Sequence, residues 1–305
     1  MRLGVLDVGS NTVHLQVMDA TTGARPIPNL NFKQDVRLAE FLTPDGEISA
    51  EGIRVLREAI RCSLIEAKKA KTEEIFPFAT SALREAKNGQ QIIEEINRDF
   101  EIDLQVLSGE DEARMTFLAA RRWYGWSSGR LLMIDIGGGS LELAIGLNEI
   151  PDFAVSLPLG ASRLTRGYLE GDPFTKKSLR NLQDFVDGEI NELSGNLISH
   201  HASDRCIGTS KTIRTLARLC GDWIDGDGKS LRIDWLRKIT PKLAEMSDKQ
   251  RAELPGVSAS RARQITAGAI VAESVMRHFD VDELEICPWA LREGVVLRWF
   301  DWMKS

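Results

Sequence analysis

Two stretches of the chain read alike: Leu6-Asp7-Val8-Gly9-Ser10-Asn11-Thr12-Val13-His14-Leu15-Gln16-Val17 and Ile134-Asp135-Ile136-Gly137-Gly138-Gly139-Ser140-Leu141-Glu142-Leu143-Ala144-Ile145. They align without a gap. Each is a short apolar run ending in Asp, a small-residue turn closing on Thr or Ser, and an alternating strand. The pattern predicts a β-hairpin, and its recurrence predicts an internal duplication. Gly and Ser tolerate unusual backbone angles and let the main chain approach an anion, so that N–H groups and Ser, Thr or Asn side chains can donate to phosphate oxygens. Ser10, Asn11, Thr12, Gly137, Gly138, Gly139 and Ser140 are therefore candidate phosphate-binding residues. Asp7 and Asp135 would repel a phosphate unless a cation bridged them. That suits Mg2+ (or Mn2+), which takes one or two carboxylates and completes its shell with phosphate and water oxygens. Glu142 falls on the same strand face as Ser140 and is a candidate second carboxylate. One such hairpin alone serves equally well as a plain tight turn, whereas two copies with Asp in the same place favour a shared ligand.

Around the hairpins, strands alternate with helices, which indicates an α/β sheet protein. Strands are expected at 2–8, 12–19, 74–78, 103–107, 153–156, 205–207 and 283–286, with a loop through Asn29 and a strand-like patch near 35–41. Ser49 reads as a helix N-cap, followed by the apolar stripe Ile53, Leu56, Ile60, Leu64 and Ala67, with the charged run 66–71 as the solvated end of that helix. Further helices are expected at 82–87, 90–100, 161–169, 176–193, 233–245 and 258–279, with a last one from Trp289. Ser108-Gly109-Glu110-Asp111 has capping-box spacing and opens a helix to about residue 124. At 305 residues the chain has room for two domains of about 150 residues each, with the polar turn Ser127-Ser128-Gly129 as a boundary and a cleft as the natural ligand site.

Composition narrows the classes. The net charge of −6 argues against a nucleic-acid polymer as partner, so a polyanionic ligand would need a local basic lining. No run approaches ~20 apolar residues, and a strand follows Met1 at once, so neither a membrane span nor a signal peptide is expected and the cytoplasm is the default. Cys62, Cys206, Cys220 and Cys287 are scattered, without a CxxC pair, and read as free, mostly buried thiols. His200 and His201 sit in a polar, loop-like stretch, which makes a zinc site a poor fit.

Hydrolysis of a phosphoanhydride needs a grip on phosphates, a cation, and a group that orients or deprotonates water. The acidic run Glu110-Asp111-Glu112 contains candidates for the last role, although acids at a helix start are also favoured by the helix dipole alone. Ala79-Thr80-Ser81-Ala82-Leu83-Arg84 brings hydroxyls and a guanidinium to a helix start, where Thr80 or Ser81 could equally be a simple cap. Gly208-Thr209-Ser210-Lys211-Thr212 lacks the full P-loop pattern and reads better as an ordinary cap. Arg261, Arg263, Arg277 and Arg292 form a basic series of the kind that is usually a solvated face.

Taken together, Asp7 to Thr12, Ala79 to Arg84, Ser108 to Arg114, Asp135 to Glu142, Ser156-Leu157-Pro158-Leu159-Gly160, Gly208-Thr209-Ser210 and Ala290-Leu291-Arg292-Glu293-Gly294 resemble the exopolyphosphatase and guanosine pentaphosphate phosphatase family. That family lies within the sugar kinase, actin and heat-shock chaperone superfamily. The resemblance implies two ribonuclease-H-like domains around a cleft, residues 1–126 and 127–288, with the last helix (289–305) packing back on the first. It implies the short form of the family, without an additional C-terminal helical domain. It also implies that the glutamate directly before Ala-Arg, here Glu112, is catalytic, that Asp135 and Glu142 serve the metal, and that Arg84 helps hold the anion. The expected activity is release of the terminal phosphate of inorganic polyphosphate, of short chain length. Guanosine pentaphosphate hydrolysis, a non-catalytic alarmone-binding sensor and a superfamily kinase are the alternatives, and a homodimer is an open option.

Overall fold

The computed structural model describes residues 1–197, 203–224 and 228–303, so His200 and His201 lie outside the described residues. The chain divides into two compact units, Met1–Ala119 with Leu291–Ser305, and Ala120–Ala290. The division falls inside a helix, ahead of the Ser127–Gly129 turn.

The first unit contains strands β1 (Arg2–Val8), β2 (Thr12–Asp19) and β3 (Ile27–Asp35), helix α1 (Ala50–Lys69), β4 (Glu74–Ala79), α2 (Ser81–Glu85), α3 (Gly89–Phe100), β5 (Gln105–Val106) and the start of α4 (Gly109–Tyr124). Its sheet has the order β3-β2-β1-β4-β5. The first three strands form an antiparallel meander, while β4 and β5 run parallel to β1. The second unit continues with β6 (Leu131–Ile136), β7 (Leu141–Gly146), β8 (Phe153–Leu157), α5 (Ala161–Tyr168), α6 (Lys176–Leu197), β9 (Arg205–Gly208) and α7 (Lys211–Ile224). It ends with β10 (Ser230–Arg232), α8 (Ile233–Glu245), α9 (Asp248–Ala252), α10 (Ala259–Ala262), α11 (Ile265–His278) and β11 (Glu283–Ile286). Its sheet, β10-β11-β9-β6-β7-β8, repeats the first arrangement with β8, β7, β6, β9 and β11 in the places of β3, β2, β1, β4 and β5. Only the edge strand β10 is extra. The duplication read from the two hairpins thus extends to whole ribonuclease-H-like sheets.

Each unit has its own core. In the first, Leu6, Val8, Val13 and Leu15 on the sheet pack with Leu56, Ile60, Ile92 and Ile96 from α1 and α3. The opposite face, Leu3, Val5 and Met18, is covered by Val296 and Phe300 of the final helix α12 (Leu291–Trp302). A fully buried side chain of this kind contributes about 1.5–3 kcal/mol. Ser49 caps α1 by accepting from the Gly52 N–H at 3.3 Å. In the second unit, Ile134, Ile136, Leu141 and Leu143 pack with Leu182, Ile213, Leu216 and Val271.

Several elements differ from the expectation. Residues 27–35 form a strand where a loop was expected, because β3 pairs along β2 as an edge strand that keeps a polar sequence. The 38–41 patch is a 3-10 turn instead of a strand. The helix expected at 258–279 is two, broken at Arg263 and Gln264. Strand β10 and helix α9 carry too little periodicity to be read from sequence; β10 is held by pairing with β11 and α9 by a Ser247–Gln250 capping box.

Candidate functional site

Both hairpins close in the same way. The Gly9 N–H donates to the Thr12 carbonyl at 3.0 Å, and the Gly137 N–H to the Ser140 carbonyl at 2.9 Å. Gly9 and Gly137 do not use the left-handed backbone freedom expected of them. A Cβ on Gly9 would meet the Thr12 carbonyl at 3.3 Å, and one on Gly137 the Ser140 carbonyl at 3.2 Å, so tightness is what selects glycine. The turn carbonyls are spent on the following chain. In the first copy the Asn11 carbonyl accepts from the Val36 and Arg37 N–H groups at 2.9 and 3.0 Å. In the second, the start of α5 covers the turn: Ala161 N–H donates to Gly137, and Ser162 and Arg163 N–H to Gly138, while Arg163 Nε reaches the Gly139 carbonyl at 2.8 Å. Gly160 permits this approach, since a Cβ there would overlap the Gly139 and Ser140 backbone. Among the described residues, the N–H groups of Ser10, Gly138, Gly139 and Ser140 donate to no backbone acceptor. With the Asn11 and Gly137 to Gly139 carbonyls engaged and donors left over, each turn is suited to an anion.

The strand register sets what stands beside each turn. Asp135 lies directly opposite Glu142 across β6 and β7, and Asp7 directly opposite His14 across β1 and β2. Opposed residues share a face, so the second hairpin presents two carboxylates side by side. Each is held from outside the hairpin: Thr209 Oγ1 donates to Asp135 at 2.5 Å, and Ser156 Oγ to Glu142 at 2.8 Å. Glu142 is only 2 % exposed. A buried carboxylate beside a half-buried one fits a hard divalent cation that takes its remaining ligands from phosphate and water. Among the described residues no group of three or more His, Cys, Asp or Glu converges into a closed metal cage. At the first hairpin Arg292 supplies the positive charge. Its Nη1 lies 3.6 Å from Asp7 and contacts His14 Nδ1, and its Nε donates to Gln16 at 2.8 Å. Gln16 in turn donates to Glu293 at 3.0 Å. Burial, and then the neighbouring Arg292, push the His14 imidazole down to about 3, so it is neutral here.

The three acids at the start of α4 have separate fates. Glu110 pairs with Arg114 one turn on, at the exposed surface. Asp111 completes the cap: its N–H donates to Ser108 Oγ at 3.0 Å and its carboxylate accepts from that hydroxyl at 2.6 Å. Glu112 alone turns to Arg84, whose Nη1 lies 3.4 Å from Oε2 and donates to the Leu107 carbonyl at 2.9 Å. Thr80 makes no side-chain cap to α2. Ser81 Oγ instead bonds Ser10 Oγ in the first turn, at 2.9 Å. Ser210 does cap α7, accepting from the Ile213 N–H at 3.2 Å, as the sequence suggested. Thr209, Ser156 and Arg292 are partners whose roles the sequence did not single out: Thr209 stood in an expected cap and Arg292 in a basic series, and Ser156 only in a matching stretch.

The basic series is mixed. Arg263 pairs with Asp248 and Arg277 with Asp187, whereas Arg292 is half-buried against the first hairpin. In the second unit, burial and then the charges of Arg261, Arg214 and Arg218 lower the Lys211 ammonium from its ordinary value. None of the four cysteines forms a disulfide. No helix among the described residues is long and apolar enough to cross a membrane.

Residues 19–302 match the model of the Ppx/GppA phosphatase family. The chain belongs to that family. It is 47% identical over 305 residues to Exopolyphosphatase 1 of Mycobacterium tuberculosis, covering 99% of this chain and 89% of the relative. An Aquifex aeolicus PPX-GPPA enzyme of known structure is 26% identical, with a TM-score of 0.79 over 98% of this chain and 99% of that one. An exopolyphosphatase from Cytophaga hutchinsonii superposes with a TM-score of 0.88 over 99% and 98% of the two chains at 24% identity, a likeness of fold.

Proposed function

We propose that the chain is a cytoplasmic exopolyphosphatase that hydrolyses the terminal phosphoanhydride of short inorganic polyphosphate and releases phosphate, with Mg2+ or Mn2+ as its cation. The observation that carries this reading is the pair of turns in which the Asn11 and the Gly137 to Gly139 carbonyls are engaged by the chain while donors remain for phosphate, one of them backed by Asp135 and Glu142. The 47% identity to a protein named Exopolyphosphatase 1 supports the choice of substrate.

In this mechanism the first turn, with Ser10, Asn11 and Thr12, and the second, with Gly137 to Ser140, bind phosphoryl oxygens through preorganised donors. Asp135 and Glu142, fixed by Thr209 and Ser156, would hold the cation, which supplies charge neutralisation at the phosphoanhydride. Glu112 orients a water and takes its proton as the water oxygen bonds to the terminal phosphorus. The bond from that phosphorus to the bridging oxygen breaks, and the shortened polyphosphate leaves with the electron pair. Phosphate release measured in parallel with short polyphosphate, long polyphosphate, guanosine pentaphosphate and ATP tests the reading. Short polyphosphate is expected to turn over fastest; guanosine pentaphosphate as the preferred substrate would overturn the assignment. Glu112→Gln should abolish turnover and leave polyphosphate binding nearly intact.

A further inference from the structure

We infer that α2 is a spacer of fixed length between the first phosphate turn and Glu112, and that Arg84 acts on the reaction through Glu112, as its positioning residue, instead of gripping the substrate. The inference rests on the proposed role of Glu112 as base. Both ends of α2 are tied. At its start, the buried Ser81 hydroxyl bonds Ser10 at 2.9 Å, and the Thr80 N–H donates to the Val8 carbonyl at 3.2 Å, so the helix begins on the turn itself. Beyond its end, Asn88 brackets Ile48, accepting from its N–H at 2.9 Å and donating to its carbonyl at 2.8 Å. Leu83 is 1% exposed, and a Cβ on Gly89 would overlap the Leu83 carbonyl, so the segment has little room to slide. Two residues separate Ser81 from Arg84, so that three helical steps span a rise of about 4.5 Å.

From that end Arg84 crosses to the next strand-to-helix connection. The parallel pairing of β4 with β5 places Ala79 beside Val106, so Arg84 and Glu112, which follow those strands, are neighbours. One guanidinium nitrogen meets both the Leu107 carbonyl at 2.9 Å and Glu112 Oε2 at 3.4 Å, with the Arg84 and Glu112 side chains 22% and 15% exposed. A carbonyl of the protein thus orients the guanidinium before any ligand arrives. A base must sit within hydrogen-bond reach of its water, and a displacement of about 1 Å costs roughly 100-fold in rate. The Ser10, Ser81, Arg84, Glu112 series sets that placement relative to the bound phosphate.

The test separates positioning from substrate grip. Arg84→Lys should lower kcat on short polyphosphate by about 10- to 100-fold with KM changed less than about threefold. In the Glu112→Gln background, adding Arg84→Lys should leave the polyphosphate affinity, measured by calorimetry, unchanged. A rise in KM with kcat retained, or weakened polyphosphate binding in the Glu112→Gln background, would show that Arg84 grips phosphate and overturn the inference. Wild-type turnover by Glu112→Gln alone would instead remove the base assignment, and the inference with it. Folding is checked by near-ultraviolet circular dichroism, and Arg84→Gln is scored by the same criteria where Arg84→Lys does not fold.

Discussion

At the residue scale, a single difference between the two hairpins divides their chemistry. Position for position, Glu142 in the second copy corresponds to His14 in the first, and Arg292 covers Asp7 and His14 where the second copy sets Asp135 beside Glu142. The hydroxyl of Thr209, fully buried, fixes one of those carboxylates. Thr209→Val should therefore weaken Mn2+ binding by about 10- to 100-fold, the usual cost of losing a partner behind a metal ligand, as read by electron paramagnetic resonance titration. His14 carries a pH signature. Its folded-state value of about 3 lies below the ordinary 6.5, so the unfolded chain binds more protons between those limits. Its contribution to stability is whole above about pH 6.5 and is lost progressively as the pH falls towards 3. The urea midpoint should drop less between pH 7 and pH 4 in His14→Gln than in the unsubstituted protein. An equal drop would show that His14 is not the group titrating. Of the three acids at residues 110–112, sequence spacing could not choose one, since all sit in the first turn of α4. Only the side-chain partners separate them: Arg114 for Glu110, Ser108 for Asp111, Arg84 for Glu112.

At the scale of elements, the turns are shaped by what packs behind them. Helix α5 begins against the Gly137–Gly139 turn, with its first N–H groups on the turn carbonyls, and Gly160 is the contact point. Gly160→Ala inserts a methyl group into the Gly139 and Ser140 backbone. It should cost about 1–3 kcal/mol of stability by overpacking and lower turnover by about 100-fold through displacement of the donors. Thermal unfolding and phosphate release check the two parts, and normal turnover would show that the turn is not tightly placed. Long amphipathic elements were legible before the structure: α1 with its Ser49 cap and stripe Leu56, Ile60 and Ala67 is as the spacing predicts. Short or edge elements were not. Residues 27–35 carry only a short alternation, Leu30 and Phe32 among polar residues and after Pro28, and pairing along the edge of β2 makes them a strand.

At the scale of the whole molecule, each unit is a sheet of the same order, but the first is completed by a helix from the far end of the chain. Val296 and Phe300 of α12 bury the face of Leu3, Val5 and Met18. Gly294 passes so close to the Met115 carbonyl that a side chain would overlap it. Phe300→Ala should cost about 3–5 kcal/mol. Hydrogen exchange should locate the loss in β1, β2 and β4, with β6, β7 and β9 unaffected; uniform loss across both sheets would contradict two separate cores. The sequence by itself determined the repeated hairpin, the α/β class, the family and the residues at the two turns. All of these rest on local pattern and covalent order, which survive in a string of letters. The tertiary structure alone decided that the Asn11 and Gly137 to Gly139 carbonyls are engaged by the following chain, that Arg292 serves the first hairpin while Thr209 and Ser156 serve the second, and that Glu112 is the acid facing Arg84. Those are relations between residues distant in the chain, settled by register and packing, which local periodicity does not encode.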